Sequence, residues 1–258
     1  MTAAVRAEWI KLRTVSSSGW LLLACAVVTI TVSSAVVAVE KCSSASCAVD
    51  TTKVSLTGVQ VGQAAVAIVA VMVVGGEYAT GMIRITLAAV PRRSVMLAAK
   101  ATATVVVTAV AGTIAVLGSL LAGRIFLPGN GFTVADGFAP LSLGNGPTLR
   151  AATGSVLYLV LVALFSLGIA AAVRDAAVAI AIVLGLMYVV RTLSSLVLDP
   201  TWQHRVDRVA PMNAGLAIQS TANMSKLPIS PWAGLGVLAA WTAAALLAGW
   251  LLLQLRDA

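Results

Sequence analysis

Apolar residues in this chain fall in long unbroken runs, without the period-two alternation of a half-buried strand. A bilayer crossing takes about 20 residues as a helix, and runs of that order lie at 20–39, 58–75, 101–123, 151–173, 176–198 and 232–254. Continuous runs predict helices, because a membrane barrel strand alternates apolar and polar positions. The expected fold is an all-α integral membrane protein, one domain over residues 1–258, with six transmembrane helices. Only Arg174 and Asp175 separate the fourth and fifth runs, so a short hairpin is expected there.

Composition agrees with that pattern. The chain is 60% hydrophobic and 10% charged, against about 25% charged in soluble proteins, and its mean hydropathy is +1.00. The net charge of +8 raises nucleic acid as a partner. The basic residues, however, are dispersed at the ends of apolar runs and form no single patch, so lipid headgroups are the expected counter-ions. A signal peptide is a second reading of the first run, since Leu22, Leu23, Ala24 and Cys25 resemble a lipoprotein cleavage box. Apolar sequence continues well past Cys25, unlike a signal h-region, so Cys25 reads as an ordinary buried thiol.

Lys and Arg distribution sets orientation. With the N-terminus inside, the cytoplasmic segments hold Arg6, Lys11, Arg13, Arg84, Arg92, Arg93, Lys100, Arg174 and Arg256. The outer segments hold Lys41, Lys53, Arg124, Arg150, Arg205, Arg208 and Lys226 in longer loops. Both termini are therefore expected in the cytoplasm, and the chain in an inner or plasma membrane. Cys42 and Cys47 sit just beyond the first run in KCSSASCAVD. In an oxidising outer compartment they would form a small disulfide ring; two free thiols are the other reading.

Between the second and third runs lies GEYATGMIRITLAAVPRRSVMLAAK, residues 76–100. Met82, Ile83, Leu87 and Val90 have near-helical spacing, which predicts a short amphipathic helix on the inner membrane face. Pro91 suits the first turn of the next helix. Arg92, Arg93 and Lys100 are explained as headgroup anchors. Glu77 and Arg84 are not, because a mere connection could be shorter; they are either solvated surface charges or partner contacts. Near the N-terminus, Val5, Trp9 and Leu12 share one helical face, with Lys11 and Arg13 beside it, as in a helix lying in the headgroup plane.

Enzymatic chemistry has little support. No G-x-x-x-x-G-K-[ST] phosphate loop occurs, so ATP would have to be hydrolysed by another subunit. His204 and the scattered carboxylates form no set spaced for metal binding or acid–base work. Arg191, in YVVRTLSSLVLDP, is the single charge well inside a proposed span. Exposing it to lipid would cost about 2.5 kcal/mol or more, so it faces the bundle interior or reaches outward, in a structural pair or as part of a substrate path or gate. Trp202 and Trp232 read as interfacial anchors.

The residues Glu77, Gly81 and Arg84 in Glu-x3-Gly-x2-Arg, followed by Thr-Leu, Pro-Arg-Arg and Lys100, resemble the permease subunits of type-2 ABC exporters. So does AEWIKLRTVSSSGWLLL, where Glu8, Trp9, Lys11 and Arg13 lead into the first span. The resemblance implies that both termini are inside, that residues 2–15 form an interfacial connecting helix, and that Gly76 to Ala89 is a coupling loop. Through Glu77, Tyr78, Gly81 and Arg84 that loop would dock an ABC ATPase, two copies per assembly, which binds the ATP and Mg2+. It also implies short helices over 199–231 dipping into the outer leaflet, and a second permease protomer, expected to be identical, across an export path. Two other functions stay open: an ion-coupled carrier, which needs ionisable residues at the midplane, and a non-transporting scaffold or sensor.

Overall fold

The structure, a computed structural model, describes residues 6, 10, 16–42, 49–89, 92–133, 138, 141–196, 199–222 and 224–255. All regular structure among the described residues is helical. In chain order the helices are α1 (Ser16–Val39), α2 (Thr51–Ser55), α3 (Val59–Ala79), α4 (Met82–Ala89), α5 (Arg93–Phe126), α6 (Gly146–Val173), α7 (Ala176–Leu184), α8 (Val190–Leu196), α9 (Pro200–Val209), α10 (Pro211–Leu216) and α11 (Pro231–Leu255), with short 3-10 turns between some of them.

Five helices are long and apolar enough to cross a membrane: α3, α5, α6, the run Ala176–Ser194 through α7 and α8, and α11. They mark a multi-pass membrane protein. The apolar stretch of α1 described as Leu23–Val39 is shorter. The observed helices overrun the apolar runs where charge begins. α3 continues to Ala79 and α5 starts at Arg93, because helical hydrogen bonding does not depend on where hydrocarbon ends. At about 1.5 Å per residue, the 34 residues of α5 outreach a hydrocarbon core of about 30 Å.

Long helices that follow one another in the chain alternate in direction. Cys25 Sγ lies against the Gly62 carbonyl at 3.4 Å and Gly58 N–H donates to Ser33 Oγ at 3.0 Å, which sets α1 and α3 antiparallel. The starts of α1 and α5 therefore lie at one end of the bundle with Glu77, and the C-terminal turn of α11 joins them; Asp50 marks the opposite end. α6 is central and touches α3, α5, α7 and α11. Its Tyr158, Leu159, Val162, Ala163 and Phe165 pack with Val66, Ala67 and Ala70 of α3 and with Leu238 and Ala245 of α11. Where α6 crosses α11, a Cβ on Gly168 would lie 2.6 Å from the Ala245 carbonyl carbon, and one on Gly249 would lie 2.7 Å from Gly168 O. Without a hydrophobic drive between helices in lipid, such backbone proximity is what supplies packing contact.

The hairpin between α6 and α7 is the expected tight turn. Arg174 takes the left-handed conformation with φ 65° and its N–H closes on Ala170 O at 2.9 Å. Asp175 then caps α7, accepting from Val178 N–H at 2.8 Å. A π-helical turn, Gly185–Val189, joins α7 to α8 and lets the Tyr188 hydroxyl donate to Gln60 O. At the Asp50 end one carboxylate ties distant segments: Asp50 accepts from Lys53 N–H at 3.1 Å, Thr221 Oγ1 at 2.6 Å and Ala222 N–H at 2.9 Å. The segment after α9 is not surface: Met212, Ala214, Ile218 and Gln219 are buried.

Candidate functional site

α3 ends in a turn built by its own sequence. Thr80 N–H and Oγ1 both return to Gly76 O, at 3.2 and 2.9 Å. Gly81 then adopts φ 71°, with open space where a Cβ would be, a conformation that L side chains disfavour. That reversal lays α4 across the end of the bundle. Ile83 points in and is buried with Val71, Val74, Met96, Leu97 and Leu253. Met82, Arg84 and Ile85 face out, Ile85 at 70% exposure. An open recess of about 390 Å³ lies between the turn and the α6–α7 hairpin, lined by Tyr78, Gly81, Ile83, Arg84 and Arg174.

The charges around this turn are locked to the bundle. Glu77 Oε1 lies 2.8 Å from Lys100 Nζ, with side chains 11% and 1% exposed, and Lys100 also donates to Val73 O at 3.2 Å. Arg93 donates through Nη1 to Leu253 O, and Arg174 through Nη2 to Leu252 O at 3.1 Å. Together they bind carbonyls at the C-terminal turn of α11. The Arg174 guanidinium also stands over the Tyr78 ring, 5.7 Å from its centroid. The half-buried Tyr78 hydroxyl has no hydrogen-bond partner among the described residues.

Three expectations change as a result. Lys100 is no headgroup anchor: it is fully buried and paired with Glu77, because α5 begins two turns before the apolar run and carries Lys100 against α3. Glu77 is correspondingly turned into the bundle, leaving Arg84 as the exposed charge of the turn. Arg93 spends its guanidinium on the end of α11. Arg92 is exposed at the N-cap of α5. Trp9, Lys11, Arg13, Pro91 and Cys47 lie outside the described residues. Cys42 is disulfide-bonded, and its N–H donates to Asn130 O at 3.1 Å.

Arg191 opens into a second recess, about 270 Å³, at the Asp50 end. Asp199 does not pair with it; it caps α9 by accepting from Thr201 N–H at 2.8 Å. One interior polar group went unread in the sequence. Gln63 of α3, 1% exposed, accepts from the Tyr158 hydroxyl and points Nε2 at Met212 Sδ, 3.2 Å away. A lone Gln inside an apolar run is the signal that could have found it, since polar groups in a span seek partners across helices. No family model matches this chain, and no curated protein matches it.

Proposed function

We propose that this chain is the transmembrane subunit of an ATP-driven ABC exporter, that two such chains enclose the path, and that a separate ATPase docks on residues 76–90. The observation that carries the reading is the construction of the turn after α3. A short helix with Arg84, Met82 and Ile85 exposed sits beside an open recess, which suits a protein partner that can insert a side chain. The same turn is tied to the bundle by the Glu77–Lys100 pair and by Ile83, which packs with Val74 of α3, Met96 and Leu97 of α5 and Leu253 of α11. A push on α4 would therefore reach α3, α5 and α11 together instead of bending a loose loop. On this reading the Glu77 end faces the cytoplasm of an inner or plasma membrane. ATP and Mg2+ belong to the ATPase, and the sparse polar lining favours amphipathic or apolar cargo.

An ion-coupled carrier is supported by one feature, the π-helical turn just before Arg191, because interrupted helices beside an intramembrane charge are common in such carriers. Affinity purification of the tagged full chain from its native membranes separates the readings. The exporter reading expects a nucleotide-binding ATPase in stoichiometric amount, lost or weakened with Arg84→Ala, since truncating a desolvated interface charge costs about 2–5 kcal/mol. Recovery of the chain with no ATPase, or wild-type ATPase binding and transport by Arg84→Ala, sinks it.

A further inference from the structure

The recess at the Asp50 end has no role in the reading above, and its polar groups are mismatched in a consistent way. Asn213 donates to Asp207 Oδ1 at 2.5 Å and to Ser194 Oγ at 3.3 Å, which leaves its own Oδ1 buried without a partner. Gln219, 1% exposed, donates to Ser155 Oγ at 3.1 Å, and its Oε1 has no partner. The Ser220 hydroxyl, in a residue 3% exposed, has none either. All three side chains line the recess, together with Lys53, Arg191 and Asp207. Neither the Arg191 guanidinium nor the Lys53 ammonium has a hydrogen-bond or ion-pair partner among the described residues.

The recess thus offers acceptors that lack donors and cations that lack an ion-pair partner, the lining carboxylate of Asp207 being bound by Asn213. Burying unpaired acceptors is unfavourable, and two cations sharing one cavity repel each other. Water can donate to the acceptors but brings no negative charge. A ligand that answers both needs carries an anionic oxygen cluster and, next to it, N–H donors. One carboxylate is already saturated by one arginine fork, whereas a tetrahedral phosphate presents oxygens to two cations arriving from different helices. Asp207 adds negative charge on the side of the Asn213 acceptor, which favours an ammonium over a hydroxyl as the donor.

We propose that this recess binds a zwitterionic phosphate ester of the phosphoethanolamine type, its phosphate held by Arg191 and Lys53 and its ammonium by Gln219 Oε1 and Asn213 Oδ1. The phosphate ester can be a lipid headgroup or a free solute. The site belongs to this chain alone and holds whether or not an ATPase couples to the opposite end.

The test uses the purified, delipidated full chain. O-phosphoethanolamine is titrated in detergent by calorimetry, and phosphatidylethanolamine retention is followed by native mass spectrometry after exchange against phosphatidylcholine. Lys53→Gln and Arg191→Gln are each expected to weaken binding about tenfold or more. Lys53 is exposed, so its variant keeps the fold, and an unchanged unfolding temperature confirms that. Saturable binding of the soluble ester, weakened by both variants, assigns a free solute. Retention of the lipid alone, weakened by both, assigns a headgroup. The proposal is overturned if neither ligand binds saturably, if both variants bind like the parent, or if glycine competes as well as phosphoethanolamine, since glycine has the ammonium but only a carboxylate.

Discussion

A buried ion pair is more disruptive broken than absent, because one partner alone leaves a desolvated charge. Glu77 and Lys100 meet at 2.8 Å where α3 leaves the bundle, so Glu77→Gln or Lys100→Met alone should each destabilise the protein by about 3–5 kcal/mol. The double variant should recover most of that loss. Thermal unfolding of the four proteins in one detergent measures it, and additive losses in the double variant would show that the two side chains do not act as a pair. This contact was not legible in the sequence. Glu77 and Lys100 share no helical spacing; an antiparallel return of the chain brings them together, and sequence alone groups Lys100 with the headgroup-facing arginines beside it. Gly81 was hidden as well: the glycines that follow the apolar run, Gly75 and Gly76, lie inside α3, and the reversal comes five residues later.

At the scale of a helix, hydropathy locates an element but does not say which face is buried. On α5 the exposed stripe of Val106, Val110, Ile114, Leu117 and Leu121 is at least as apolar as the buried one. What marks the inward face is size and polarity: Ala103, Thr104, Thr108, Gly112, Ala115 and Ser119. Lipid replaces water as the outer solvent, so the large aliphatic side chains gain nothing by turning inward, and small residues take the contacts. The same rule yields a contrast on α11. Gly249→Ala puts a methyl against Gly168 O, whereas Gly236 has open space around it. Gly249→Ala should therefore destabilise by about 1–3 kcal/mol through overpacking, and Gly236→Ala should be neutral or stabilising by up to about 1 kcal/mol through helix propensity. Equal unfolding temperatures for the two variants would contradict the crossing.

For the whole molecule, the alternating helix directions place the starts of α1 and α5 and the end of α11 together with Glu77, and the sequence runs located these helices to within a few residues except at the start of α5. The order of helices follows from run lengths; the central place of α6 and the buried segment after α9 do not, because both are set by contacts between distant parts of the chain. The side of the membrane each end faces is then a question of charge. Arg84, Arg92 and Arg174 lie in short connections at the Glu77 end, with Arg93 in the first turn of α5 beside them, and short basic connections favour the cytoplasmic side. The disulfide at Cys42 fits the same expected orientation, since disulfides persist in oxidising compartments. Ala79 and Gly129 are exposed at the two ends. In a background with Cys42 and Cys47 replaced by Ser, Gly129→Cys should react with an impermeant maleimide added to intact cells, and Ala79→Cys only after permeabilisation. Cys25 is buried and should stay silent in both. Labelling of Ala79→Cys in intact cells with Gly129→Cys protected would invert the molecule, put the turn that carries Arg84 outside, and take the proposed ATPase contact away from any source of ATP.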